Sequence, residues 1–233
     1  MSDAQPPAGV KGRYCVVIPA FEAAQTIGEV VRHVRANGWP VIVVDDGSSD
    51  RTAAIASERG AFVISHLHNV GKGAALRTGF EYALRSRYDG VVTMDGDGQH
   101  DAAEILQLVH AGEIQHAGIV VGNRMTNGAS MPPVRRWTNV VMSRTISMMV
   151  RQTIPDSQCG FRFIRKEVLE SVPLRTHRFE IESELLLAAA SRRWKIVSVP
   201  VRSIYQHHSS HIHPLNDGIR FLRLVLRHYL RST

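Results

Sequence analysis

Two carboxylates one residue apart, Asp95 and Asp97, follow a short apolar run and precede an amide, Gln99, in VVTMDGDGQHD at residues 91–101. Carboxylate and amide oxygens are hard ligands suited to Mg²⁺ or Mn²⁺, and Mg²⁺ is usually shared with the phosphates of a substrate. Asp95, Asp97 and Gln99 are therefore the candidate metal set, with Asp97 as the leading direct ligand. The same residues also suit a polar turn ahead of a helix, because Asp101 and Glu104 have capping-box spacing. An EF-hand loop fits poorly. Counted from Asp95, its glycine position would hold His100 and its closing glutamate position Leu106.

Other polar clusters are placed in the same way: Phe21 and Glu22, Asp45 and Asp46, residues 69–73, and Gly122, Asn123 and Arg124. Each follows an apolar run of strand length, at residues 14–19, 41–44, 61–65 and 119–121, as residues 91–94 do for the Asp95 cluster. Helical spacing fills the gaps. Residues 26–37 put Ile27, Val30, Val31 and Val34 on one face, with Thr26 as the expected N-cap and Gly38 as the stop. Further helices are expected at about 51–59, 73–87 and 102–111. The strands are apolar throughout rather than alternating, which predicts a mainly parallel central sheet with helices on both faces, an α/β fold. In such a sheet the polar clusters converge at the carboxyl edge, where ligands bind.

A chain of 233 residues with 44% apolar content suits one such domain, here 13–214. Residues 1–12 read as a flexible arm without the apolar core of a signal peptide. No run of 18 apolar residues predicts a transmembrane helix. Two distant cysteines, Cys15 and Cys159, suggest no disulfide framework and point to a reducing, cytoplasmic setting. The net charge of +7 is split: residues 1–123 hold 10 Lys/Arg against 14 Asp/Glu, and residues 124–233 hold 18 against 7. The second half thus expects an anionic partner. Only 6% of residues are aromatic, which disfavours a base-stacking nucleic-acid platform. Residues 215–233 read as the third segment, a basic amphipathic helix with Leu215, Ile219, Leu222, Leu226 and Tyr229 on one face and Arg220, Arg223, Arg227 and Arg231 on another. It can lie in an anionic membrane interface or pack on the domain. The methionines and tryptophan of residues 137–151 read as core packing. His207, His208, His211 and His213 read as a mobile loop in preference to a transition-metal site.

Eight motifs in one order give the chain a wider resemblance. They are VVIPAFEAAQTIGEVV at 16–31, VVDDGSSDRTA at 43–53, NVGKGAALRTGF at 69–80, MDGDGQHDAAEI at 94–105, GNR at 122–124, DSQCGFR at 156–162, FEIESELL at 179–186 and KIVSVPVRSIY at 195–205. Together they resemble family 2 glycosyltransferases of the GT-A fold, nearest the branch of dolichyl-phosphate mannose synthases and bacterial polyprenyl-phosphate glycosyltransferases.

The resemblance implies an inverting, metal-dependent transfer of a hexose from a UDP- or GDP-linked sugar to a polyprenyl phosphate. Pro19, Phe21 and Glu22 would border the base and ribose, and Asp46 would meet the base edge. Many relatives carry tyrosine at the Phe21 position, so one hydroxyl contact is absent here. Lys72, between Gly71 and Gly73, would lie near the sugar or diphosphate, with an exposed surface lysine as the alternative; it is no Walker A lysine, because position 66 is His66. Asp95 would share the donor, and the metal at Asp95, Asp97 and Gln99 would bridge its phosphates. Arg124 and either Arg135 or Arg136 would hold the acceptor phosphate. A phosphate monoester, with a second pKa near ~6, is already anionic at neutral pH and needs no base. A hydroxyl acceptor needs one, and Asp156, ahead of Glu182 and Glu184, is the first choice. His208, Ser210 or His211 would close over the diphosphate. Relatives often end in transmembrane helices, so this shorter chain is expected to be peripheral on the cytoplasmic membrane face. The rival readings are a soluble or protein hydroxyl acceptor, a non-catalytic nucleotide-binding or membrane-associated protein, and a nucleotidyltransferase.

Overall fold

The computed structural model describes residues 13–126, 131–202, 204, 221, 225 and 226. The chain opens with β1 (Tyr14–Ala20), buried almost throughout. This strand runs on through Pro19 rather than stopping there. Its ladder with β4 (Gly90–Thr93) ends at Val17 opposite Thr93, so the missing N–H of Pro19 costs no sheet bond on that side. Beyond that point the chain after β4 is free to turn into the Asp95 loop.

Between these strands come α1 (Ile27–Ala36), β2 (Val41–Asp45), α2 (Thr52–Glu58), β3 (Phe62–Ser65) and α3 (Lys72–Arg85). The four predicted apolar positions of α1 are buried, and Gly38, at φ +80°, turns the chain at its end. Thr26 does not cap the helix. Its hydroxyl donates instead to the Gly96 carbonyl (2.6 Å), which ties the start of α1 to the Asp95 loop.

After β4 a short 3₁₀ turn, Ala102–Glu104, leads into α4 (Ile105–Ile114). Asp101 caps this turn by accepting the Ala103 N–H (2.9 Å), but Glu104 takes the Arg202 N–H, so the capping box is only half made. Then follow β5 (Ile119–Asn123), α5 (Pro133–Val150), β6 (Arg162–Arg165), α6 (Lys166–Ser171), α7 (Ile181–Ser191) and β7 (Ile196–Pro200).

The seven strands form one sheet in the order β3-β2-β1-β4-β6-β5-β7. All pairings are parallel except those of β6, which lies antiparallel between β4 and β5. Register levels the carboxyl ends: Ala20 faces Asp45, and Asp45 faces Ser65. The polar clusters after β1 to β5 therefore share one edge, and the predicted mainly parallel α/β sheet is the architecture found.

Helix α5 departs from expectation. It begins at Pro133, and only Asn139, Ser143, Ile146 and Val150 are buried. Val134, Trp137, Val141 and Met148 face outward, with Trp137 70% and Met148 80% exposed, so the tryptophan and one methionine lie off the core, while Met149 packs against it. No helix among the described residues is long and apolar enough to cross a membrane.

Candidate active site

Asp95 leaves the sheet one residue after Met94, whose N–H is still bonded to the Val17 carbonyl. Lys72, the first residue of α3, places its Nζ 2.6 Å from Asp95 Oδ1 and 2.7 Å from Glu182 Oε1 in the first turn of α7. The alternative of an exposed surface lysine is thereby removed, since its side chain is 16% exposed. Burial alone would lower the ammonium pKa, but the two carboxylates outweigh it and hold it raised. Burial likewise pushes the Asp95 carboxyl up, yet Lys72 and then His100 hold it far below the usual carboxylate range. Gly160 is part of this cradle, because a Cβ there would lie 2.6 Å from Asp95 Oδ2.

Asp97 is different. Burial and then the charge of Asp95 raise its carboxyl pKa. Among the described residues it accepts one hydrogen bond, from the Gln99 N–H (3.0 Å). The Gln99 carbonyl in turn accepts the Ile204 N–H (2.9 Å). His100 is buried, stacked on Phe161 at 5.0 Å between centroids, with Nε2 3.9 Å from Asp95 Oδ2. Its Nδ1 has no partner among the described residues.

The described residues contain no cluster of three His, Cys, Asp or Glu able to cage a metal by themselves. Two carboxylates, Asp95 and Glu182, nonetheless face one ammonium, and a third, Asp97, lies close enough to feel the charge of Asp95, a formal surplus of two negative charges over Lys72. That fits a divalent ion held by one or two carboxylates and completed by substrate phosphates.

Neighbouring loops shape the rest of the edge. Glu22, at φ +49°, accepts both the N–H and the hydroxyl of Ser49 on Oε1 (each 2.8 Å), while its own N–H donates to Ser48 Oγ. This pins Phe21, 40% exposed, and the end of β1, with Pro19, against the loop after β2. Asp46, expected at a base edge, is buried and bonded to neighbouring loops. Its Oδ1 accepts the Val70 N–H and faces His66 Nδ1 (2.7 Å), and its Oδ2 accepts the Gly71 N–H (2.7 Å). It therefore shapes the loop that carries Lys72. Gly71 and Gly73 let that loop touch residues 176–178; a Cβ on either would lie 2.4 or 2.7 Å from His177 backbone atoms.

The expected catalytic pair Arg124 and Asp156 forms a separate cluster. Asp156 is fully buried and accepts Arg124 Nε (2.8 Å), Arg124 Nη2 (2.9 Å), the Arg124 N–H (3.1 Å) and Asn139 Nδ2 (2.8 Å). Burial would raise its carboxyl, but these contacts hold it below the ordinary value. A general base needs a free lone pair and a pKa near the working pH. Asp156 as placed has neither, which is a physical reason against that role. Glu184 is also committed, to the Arg175 and Thr176 N–H groups and the Thr176 hydroxyl. Arg135 and Arg136 lie in the first turn of α5, half-buried and exposed respectively.

Sequence reasoning did not single out Arg162 or His100. Arg162 is buried and donates to the carbonyls of Cys159, Ser157 and Glu182 (2.6 to 2.8 Å), joining the Gly160 turn to α7. Its only sequence signal is a charge inside the run FRFI. Residues 207–213 and nearly all of 215–233 lie outside the described residues, as do 1–12.

The Glycosyl transferase family 2 model matches residues 15–172. The UDP-N-acetylglucosamine–dolichyl-phosphate N-acetylglucosaminyltransferase of Methanococcus voltae is 30% identical over 83% of this chain and 86% of its own. The polyprenol monophosphomannose synthase of Mycolicibacterium smegmatis is 31% identical over 81% of this chain and 76% of its own. Among solved structures, mannosyl-3-phosphoglycerate synthase from Rubrobacter xylanophilus superposes with a TM-score of 0.71 at 20% identity, over 94% of this chain and 73% of that one. Glucosyl-3-phosphoglycerate synthase from Mycobacterium tuberculosis, solved with Mn²⁺, UDP and phosphoglyceric acid, gives 0.68 at 20% identity, over 94% and 77%. These two share the GT-A fold with this chain. The chain belongs to glycosyl transferase family 2 and is a glycosyltransferase.

Proposed function

We propose that the protein moves a hexose, with inversion, from a UDP- or GDP-linked sugar to a polyprenyl phosphate at a membrane surface. One observation carries the choice of acceptor. All three carboxylates that the sequence offers as a base are engaged: Asp156 by Arg124, Glu184 by Thr176, and Glu182 by Lys72. An acceptor that arrives already anionic needs none of them. The names of the two relatives above agree with such an acceptor.

The donor side rests on Phe21, Glu22 and Pro19 for the nucleoside and on Lys72, Asp95, Asp97 and Gln99 for the diphosphate. Mg²⁺ or Mn²⁺ held there supplies charge stabilisation to the leaving diphosphate. Asp46 acts through the loop it holds rather than by touching a base. On the acceptor side, Arg135 and Arg136 stand at the N-terminus of an 18-residue helix, where the helix dipole also favours an anion. Arg124 serves with Asp156, which holds Asn139 of the same helix, as a strut for α5. The outward face of α5, with Trp137 and Met148, is the membrane contact, and the two free cysteines fit the reducing cytoplasmic side.

The test begins with thermal unfolding in UDP, GDP and dTDP, each with and without Mn²⁺. Saturation at one hundred times Kd adds about 2.7 kcal/mol of stability. The sugar conjugate of the nucleotide that shifts Tm is then offered polyprenyl phosphate, polyprenol and 3-phosphoglycerate. Transfer to polyprenyl phosphate alone is expected. Equal transfer to polyprenol would overturn the argument from the engaged carboxylates.

A further inference from the structure

Asp95 already has a cation. Lys72 Nζ is 2.6 Å from its Oδ1, while its Oδ2 faces His100 Nε2 at 3.9 Å and the close-packed Gly160 backbone. A divalent ion would bond a carboxylate oxygen at about 2.0–2.1 Å if Mg²⁺. Two cations on one largely buried carboxylate repel each other with little help from solvent screening. Lys72 is the one that can move, being a compact charge on a flexible stem. It also has a second anchor in Glu182 (2.7 Å), whose own backbone carbonyl is held by Arg162 (2.6 Å).

We propose that Lys72 is a resident counter-cation of Asp95, which keeps metal binding weak until a diphosphate draws the ammonium away. Glu182 is the positioning residue that holds Lys72 beside the site during the exchange. Metal and donor then bind as a pair, and the enzyme without donor carries little metal. The inference rests on the donor reading above, because it is the diphosphate that relieves the competition.

The experiment is a calorimetric titration of the full chain with Mn²⁺ alone and with Mn²⁺ in inorganic pyrophosphate. Lys72→Met should raise affinity for Mn²⁺ alone by about tenfold or more, within the range usual for coupled sites, and shrink the gain that pyrophosphate gives. Lys72→Gln, which keeps a donor for both carboxylates, should move the same way and guards against misfolding of the methionine variant. Arg77→Met removes the same charge further along α3, from a side chain bonded to the Leu174 carbonyl and His177, and should change the affinity by less than about threefold. Glu182→Gln should weaken Mn²⁺ binding clearly more in the wild-type background than in Lys72→Met, where only the lost carboxylate charge is felt, a non-additivity that plain electrostatics does not produce.

Unchanged Mn²⁺ affinity in both Lys72 variants overturns the proposal, as does an equal gain from Arg77→Met. Additive Glu182→Gln effects overturn the part given to Glu182. Mn²⁺ binding to none of the variants overturns the proposal together with the metal assignment. Failure of the donor reading is separate: it appears as no nucleotide shift in thermal unfolding, whereas the Mn²⁺-alone titration needs no donor.

Discussion

The cluster of Arg124 and Asp156 and the cluster of Lys72, Asp95 and Glu182 flank the same turn, residues 156–160, and use similar residue types. In the first, a buried carboxylate accepts four hydrogen bonds and its charge is matched by one guanidinium. In the second, one ammonium faces two carboxylates, with a third, Asp97, close enough to be pushed up by Asp95. A matched and saturated pair has little to offer a ligand. An acidic surplus offers a place to a cation, and His100, stacked beside it, keeps an Nδ1 that has no partner among the described residues. The difference teaches that a buried ion pair is assigned by what it leaves unfilled rather than by which residues compose it.

The largest effect should come from breaking the saturated pair. Asp156→Asn leaves Arg124 buried beside a neutral partner, at a cost of about 3–5 kcal/mol. In a chain of this size that lowers Tm by about 6–20 °C. The Asp156 carboxyl is held low, so its stabilising contribution is complete above the ordinary aspartate value near ~3.9 and fades as pH falls through its lower folded value. The gap in Tm between wild type and variant should therefore be constant above about pH 4 and narrow below it. An unchanged Tm with a changed pH–rate profile would instead make Asp156 a base. Next in size, Asp97→Asn should slow transfer by about 10²–10³-fold, as loss of a charge-stabilising group does, without lowering Tm. Its raised carboxyl pKa means that its charge is a burden in the folded state, so stability should hold or improve. Transfer at an ordinary rate would remove Asp97 from the metal site.

Much of this contrast was legible in the sequence, and the parts that were not have physical causes. The apolar runs of β1, β2 and β5 announce buried parallel strands, and the acidic loops after them follow from strand direction. Strand β6 was hidden because its four residues, RFIR, include a buried arginine whose partners are carbonyls up to twenty residues away. Strand β7 likewise lay inside the motif at 195–205 without being read as an element, and the short α6 fell between motifs. The metal candidates were visible from composition and spacing alone. The pairing of Lys72 with Glu182 was not, because 110 positions separate them and only the fold brings them together. The bonds of Asp46 to the next loop were hidden for a related reason: a carboxylate in a turn looks the same whether it meets a ligand or the backbone of the next loop.

A smaller effect should follow from loosening that loop. Asp46→Asn gives up charge-assisted bonds to Val70, Gly71 and His66, at about 1–3 kcal/mol. Pyrophosphate affinity in the presence of Mn²⁺ should fall with it, because the loop positions Lys72. If stability falls and pyrophosphate affinity does not, Lys72 is placed by α7 alone.

The smallest effect on the folded protein belongs to Trp137→Ser. The side chain is 70% exposed, so stability should change by no more than ~0.5 kcal/mol. Its role, if α5 faces a membrane, lies outside the protein. The helix carries no acidic residue, it exposes Arg136 and Arg144 beside Val134, Trp137, Val141 and Met148, and an anionic lipid surface complements both features. The inward side of the same helix supplies Asn139 to Asp156, so a membrane-docked α5 would set the distance between the lipid surface and the Arg124 cluster. Trp137→Ser should accordingly weaken sedimentation with anionic vesicles by about tenfold, the loss expected when one large apolar side chain no longer leaves water. Transfer to vesicle-borne polyprenyl phosphate should drop, while transfer to a short, water-soluble analogue should stay the same. Loss of both transfers would place Trp137 in the site itself, and loss of neither would move the membrane contact off α5.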